Sequence, residues 1–183
     1  MAKEQVSVLE RSQVWSDVGI FTLVSGITLM APFFQQQAIT GIIVNAMLFV
    51  ATALLGVRMA IVLAFLPSVI ALSLGTLPAP LAPMIPYIMV SNVLLVFVFD
   101  FFQKKQYWVG VVLSSIFKFA FLYFTSHWIL SVLSQKSIGE SILMMMSFPQ
   151  LFTALLGGVL AYGILLFFSY KAGERSFFVR KDL

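Results

Sequence analysis

The segment 107–133, YWVGVVLSSIFKFAFLYFTSHWILSVL, decides the fold class. It is predominantly apolar along its whole length, and Lys118 is its only Lys, Arg, Asp or Glu residue. A helix needs about 20 mostly apolar residues to cross the roughly 30 Å hydrocarbon core of a bilayer. The segment is long enough to do so, and it therefore predicts a transmembrane helix.

The composition of the whole chain agrees with this prediction. Hydrophobic residues make up 61% of the 183 residues and charged residues only 10%, against about 45–50% and about 25% in soluble domains. There is no cysteine and one histidine, His127. Disulfides and Cys/His metal clusters are thereby excluded, and we expect no metal site and no cofactor.

Six apolar stretches divide the chain, at about 18–34, 41–56, 58–76, 85–102, 107–133 and 148–170. None alternates polar and apolar residues as barrel strands do. We therefore expect an all-α integral membrane protein with one domain, a bundle of six transmembrane helices over residues 18–170. Segment 1–17 precedes the bundle and the tail 171–183 follows it. The proline-rich stretch 76–86 is expected to form an extended loop.

Basic residues in the connecting segments predict the orientation of the helices. With the N-terminus placed inside, Lys136 is the single cation in an outer loop. Nine cations then lie on the inner side: Lys3, Arg11, Arg58, Lys104, Lys105, Lys171, Arg175, Arg180 and Lys181. Short cytoplasmic loops are enriched in Lys and Arg, so this bias predicts six spans with both termini, 1–17 and 171–183, in the cytoplasm.

Lys118 fits neither side of this topology. It is the twelfth residue of its stretch, about 16 Å along a helix, and a lysine at that depth costs roughly 2.5–3.5 kcal/mol on insertion scales. It must face protein or a water-filled cavity, where it is a candidate counter-ion for an anionic ligand. The alternative is a structural lysine that binds helix carbonyls or snorkels. The nearest acids, Asp17 and Asp100, lie toward the cytoplasmic surface, which favours the ligand interpretation.

Other polar and aromatic residues gather in the predicted outer half of the bundle. This asymmetry indicates a substrate-binding site there, with candidate residues Lys118, Asn45, Tyr87, Asn92, Gln150, Tyr123 and Trp128. Several of these residues have a simpler explanation. Tyr123, His127 and Trp128 fit an interfacial aromatic belt, the two asparagines fit interhelical hydrogen bonding, and Gln150 fits a helix cap.

Small residues four apart indicate close helix contacts. On helix six, the pairs Ala154/Gly158 and Gly157/Ala161 are best explained by packing within the chain. On helix one, Thr22 and Gly26 form the candidate surface for docking a partner.

Catalytic patterns are absent from the sequence. It contains no Ser/His/acid set at matched depth, no pair of membrane carboxylates and no phosphate-binding loop, so we expect no enzyme activity. The positive charge marks topology, so no nucleic-acid partner is expected. The short cytoplasmic turns leave no room for an ATP-binding domain, and a partner would have to power any uphill transport.

Several loose motifs resemble one class of membrane protein, the substrate-binding S component of energy-coupling factor (ECF) vitamin transporters. The resemblance extends over the whole chain, through its size, six helices and cytoplasmic termini. The motifs are TGIIVNA at 40–46, LGVR at 55–58, LGTLP at 74–78, PMIPY at 83–87, SN at 91–92 and FPQ at 148–150.

The resemblance implies a specific function. An S component in the bacterial plasma membrane captures a vitamin or related micronutrient in an outward-facing pocket, under its first and fifth loops. A transmembrane coupling protein and a pair of ATPases then topple it to release the substrate inside. The family docks its coupling protein through small residues on helix one, where Thr22 and Gly26 are the nearest match. The alternative is a non-transporting scaffold subunit of a cell-envelope complex that determines cell shape.

Overall fold

The computed structural model of the protein describes residues 2–75, 79–132 and 142–171, and within them the fold is entirely helical. Two 3₁₀ segments, Ala31–Phe34 and Ala79–Met84, and a short helical turn at 142–146 connect the long helices. The long helices are α1 (Ala2–Met30), α2 (Gln37–Leu55), α3 (Val57–Ser73), α4 (Ile85–Gln103), α5 (Tyr107–Val132) and α6 (Phe148–Lys171).

Five segments of this structure are long and apolar enough to cross a membrane: Trp15–Phe34, Gln37–Leu55, Ala82–Gln103, Tyr107–Ile129 and Ile142–Phe168. Helix α3 is also apolar, but it is shorter, with 17 residues. Many large apolar side chains lie on the outer surface, as Phe101 and Phe124 do with exposed fractions of 66% and 70%. Such a surface is stable against lipid tails, so the chain is a multi-pass helical membrane protein.

Helix α2 lies at the centre of the bundle. Its residues 44–52 are all buried, and it contacts α1, α3, α4 and α6. A helix that is apolar and buried on every side belongs to the core rather than to the lipid boundary. The core around it includes Phe49 of α2 and Phe99 of α4, whose rings meet edge to face with centroids 4.7 Å apart.

Glycines allow α6 to approach its neighbours closely. A Cβ atom at Gly157 would lie 2.7 Å from the Cβ of Asn45 on α2, and one at Gly158 would lie 2.3 Å from Cγ1 of Val111 on α5. The packing that the sequence predicts for this face of helix six is therefore within the chain. A Cβ atom at Gly41 of α2 would likewise lie 3.1 Å from Thr153 of α6. Four residues later on both helices, Asn45 meets Gly157, so α2 and α6 run in parallel.

From α2 onward the helix limits follow the predicted stretches closely, with two differences. Helix α2 begins at Gln37, four residues before the predicted stretch, and Asn45 consequently lies two turns inside the helix. The prediction of an extended loop was wrong for Ala79–Met84, which forms 3₁₀ turns. The φ angle that proline fixes suits a 3₁₀ helix, so a proline-rich segment need not be extended.

The predicted terminal segments and loops can be compared with the structure only in part. Residues 2–17 of the predicted N-terminal segment are continuous with the first apolar helix, because α1 begins at Ala2. Three predicted segments lie partly outside the described residues. They are the proline-rich loop at 76–78, the connection between the fifth and sixth helices at 133–141, and the tail at 172–183.

Candidate ligand-binding site

A cavity of about 270 Å³ opens at one end of the bundle, where α1 and α3 end and α2, α4 and α6 begin. This volume is near the lower limit for small-molecule sites, roughly 300–1,000 Å³. Part of its wall is apolar, and its polar lining residues are Gln35, Gln36, Gln37, Thr40, Asn45, Ser68, Asn92, Lys118 and Gln150. The cavity is thus formed by elements that are far apart in sequence.

Lys118 reaches the cavity from the middle of α5. Its side chain is only 3% exposed, and its Nζ donates to Oδ1 of Asn45 and to Oδ1 of Asn92, both at 2.6 Å. An ammonium group has three N–H donors, so these two bonds leave one donor for another acceptor. The bonds join α5 to α2 and α4 at the base of the cavity.

The two asparagines occupy equivalent places on helices that run in the same direction. Asn45 is the ninth residue of α2 and Asn92 the eighth of α4, so each lies about 10–12 Å below the start of its helix. Asn92 also donates from Nδ2 to the carbonyl oxygen of Ala64 on α3, at 3.1 Å. That bond holds its Oδ1 toward Lys118.

Asn45 differs from Asn92 in one respect. Its Nδ2 atom is buried and has no hydrogen-bond partner in the described part of the chain. A buried N–H without an acceptor costs about 1–3 kcal/mol. The amide of Asn45 therefore has an unused donor beside Lys118, at a residue that lines the cavity.

The mouth of the cavity is held by hydrogen bonds to one carbonyl group. Nε2 of Gln37 and Nε2 of Gln150 donate to the carbonyl oxygen of Met145, at 3.3 and 3.2 Å. The neighbouring Gln35 has a φ of 54°, a left-handed conformation that turns the chain between α1 and α2 and is uncommon outside glycine. These contacts join the connector 35–37 to the segment 142–147 across the opening.

Four of the seven predicted binding residues line the cavity: Lys118, Asn45, Asn92 and Gln150. Tyr87 is half-buried and packs against a hydrophobic cluster that includes Met146, itself a lining residue. Tyr123 and Trp128 lie on the outside of α5, with exposed fractions of 38% and 62%. The structure therefore does not bring these three aromatic residues to the cavity, and the exposed pair fits the aromatic-belt alternative.

Sequence reasoning missed several lining residues, among them Pro67 and Ser68 of α3. Both are buried near the end of a helix that otherwise reads as a uniform apolar run. A proline inside a helix removes one backbone hydrogen bond, and such prolines in membrane helices often mark irregular backbone. That proline was the available signal.

The structure also bears on the alternatives for Lys118. The side chain does not extend to the helix end, and its acceptors are side-chain amides rather than helix carbonyls. No Asp or Glu is among the described residues that line the cavity. A cation is thus buried at the base of the cavity between two neutral groups, and the described part of the wall holds no countercharge.

A second concavity lies on the outside of the bundle, between α1, α2 and α6. It has a volume of about 680 Å³, and its lining includes both predicted docking residues, Thr22 and Gly26. The hydroxyl of Thr22 donates to the carbonyl of Val18 at 2.8 Å, so this hydroxyl is already paired within α1. We refer to this apolar surface as the α1 groove.

Comparison with known proteins gives no match, since no protein-family model, no curated protein and no solved structure shows significant similarity to the chain.

Proposed function

We propose that this protein is the substrate-binding membrane subunit of an ECF-type importer, which captures a vitamin or related micronutrient. The observation that carries the proposal is the cation at the base of the cavity, Lys118, held between Asn45 and Asn92. A purely structural role does not require a cavity beside the lysine. A binding role requires both the cavity and a free donor.

The position of the cavity supports capture from one side of the membrane. It opens at the end of the bundle that the loop charges assign to the outside, opposite the basic turns at Arg58 and at Lys104 and Lys105. We propose six spans with both termini in the cytoplasm of a bacterial cell. Helix α3 adds one span to the five longer segments, because its 17 residues meet the lower limit of about 17 for a membrane helix.

Delivery of the substrate would require partners, because nothing in the sequence indicates an ATP-binding domain. We propose that a transmembrane coupling protein docks in the α1 groove and that an ATPase pair drives release. The groove is apolar and contains small residues at Thr22 and Gly26, which is the kind of surface that allows a second helix to approach closely.

A thermal-shift screen of the purified protein against vitamins and related micronutrients tests the proposal. We expect one compound class to raise the unfolding temperature of the wild type and not of Lys118→Met, which keeps side-chain length and removes the cation. If no compound stabilises the wild type, the binding function is wrong.

The α1 groove also fits the second candidate function, a scaffold subunit of a cell-envelope complex, because docking of a membrane partner is common to both. Co-purification from the native membrane separates the two. Recovery with a coupling protein and ATPases supports the importer, whereas recovery with cell-wall assembly proteins and no small molecule supports the scaffold.

A further inference from the structure

We propose that the cavity selects a small monocarboxylate and holds its carboxylate group against Lys118. This inference rests on the small-molecule binding proposed above, and it adds the charge class of the ligand and the atoms that recognise it.

The charges of the cavity wall lead to this class. Among the described residues that line the cavity, Lys118 is the only Lys, Arg, His, Asp or Glu. A buried charge is costly unless it is paired. One negative charge at Lys118 gives a neutral pair, whereas a dianion leaves one charge uncompensated and a cation adds a like charge. A neutral ligand leaves the lysine without a counter-ion.

Two buried donors beside the base of the cavity have no acceptor among the described residues, and a carboxylate has two oxygens that accept. The first donor is the third N–H of Lys118, and the second is Nδ2 of Asn45, which has no partner among the described residues. Nδ2 is bonded to the same carbon as the Oδ1 that accepts from Lys118, so the two donors are neighbours. A carboxylate accepts at both oxygens, and its hydrogen bonds to charged donors are the strong ones.

The remaining wall limits the rest of the ligand. Its apolar lining residues include Val44, Ile85, Ile88 and Met146, and its other polar groups are neutral amides and hydroxyls. A cavity of about 270 Å³ admits a small organic acid whose body is uncharged. The described residues that line it include no second cation for a phosphate ester.

Thermal-shift titrations with matched probes test the charge class. The pairs are nicotinate with nicotinamide, biotin with biotinamide, and pantothenate with panthenol, and the dianionic probe is pyridoxal phosphate beside pyridoxal. We expect a carboxylate to bind about tenfold or more tightly than its neutral partner, because the neutral partner lacks a charge-assisted hydrogen bond to Lys118. Equal binding of the neutral partner, or preference for the phosphate, overturns the charge class but not the binding function. Failure of every probe and every screened micronutrient overturns both.

The variant Asn45→Asp tests the assigned atoms. It keeps the oxygen that accepts from Lys118 and replaces an amide nitrogen that has no partner in the part of the chain that the structure describes, so we expect the unliganded protein to remain folded. The new carboxylate supplies an internal counter-ion, and binding of the carboxylate probe should fall by about tenfold or more. Asn92→Asp introduces the same charge and also loses the bond to Ala64; it should weaken binding too. Unchanged binding in folded Asn45→Asp contradicts the assignment.

Discussion

The Cα of Gly157 faces the side chain of Asn45 so closely that an added Cβ would lie 2.7 Å from the Cβ of Asn45. The same added atom would lie 3.0 Å from the backbone nitrogen of Ala46. Helix α6 thus packs directly against the part of α2 that carries Asn45, a hydrogen-bond acceptor of Lys118. The position of Asn45 at the base of the cavity depends on this contact between two helices.

This contact predicts the effect of adding one methyl group. Gly157→Ala should lower the free energy of unfolding by about 1–3 kcal/mol, because the backbone of α2 cannot move aside freely. Gly163→Ala is the matched control on the same helix, since its added Cβ meets nothing within 4 Å. Thermal unfolding in detergent measures both. Equal unfolding temperatures for the two variants would show that α6 does not constrain α2 at this point.

The bond between Lys118 and Asn92 predicts energetic coupling between the two residues. In a double-mutant cycle of Lys118→Met and Asn92→Leu, we expect a coupling energy above the roughly 0.6 kcal/mol typical of interhelical hydrogen bonds in membranes, because one partner is charged. The free energy of unfolding is measured by denaturant titration in mixed micelles.

Ser115→Ala combined with Asn92→Leu serves as the control for this cycle. Ser115 is buried near Lys118 in sequence, but its hydroxyl donates to Val111 on its own helix. The control pair should be additive. Additivity of the Lys118 and Asn92 substitutions as well would contradict the hydrogen bond.

The hydrogen bonds to Met145 predict the rate at which ligand leaves the cavity. Replacing Gln37 by Leu removes the one of these bonds that joins two distant segments, worth about 0.5–1.5 kcal/mol, so dissociation should be roughly 2–10-fold faster. Retention of bound ligand during rapid dilution measures the rate. Gln103→Leu, at the opposite end of α4, should leave it unchanged; faster loss from that variant alone would assign the gate elsewhere.

The α1 groove predicts which substitution separates the protein from a membrane partner. Gly26→Leu should preserve folding, because an added Cβ there meets nothing within 4 Å, yet it fills the groove. Recovery of co-purified partners should fall, whereas Val112→Phe, which enlarges a 43% exposed side chain on α5, should not affect it. Equal recovery with both variants would exclude docking in the groove.

The sequence predicted the helices better than the cavity, for a physical reason. Helices that cross a membrane need long apolar runs, and these runs are visible in the sequence one at a time. The importance of Lys118 was visible for the same reason, since a charge in such a run is rare. Its pairing with Asn45 and Asn92 depends on how three helices rotate against each other, which the runs do not encode.

The aromatic candidates show the same limit. Tyr123 and Trp128 lie at the same end of the bundle as the cavity, so depth alone made them candidates. Depth does not give the face of the helix, and α5 presents both residues to the outside. Conversely, Ser68 and Met145 line the cavity, although no charge or motif distinguishes them in the sequence.

Native mass spectrometry of the gently purified protein, without added ligand, tests the central claim most directly. We predict a single small molecule bound to each wild-type chain and its loss from folded Lys118→Met. A wild-type protein that carries no small molecule and takes up none from a micronutrient mixture would contradict the claim, as would equal retention by the two proteins.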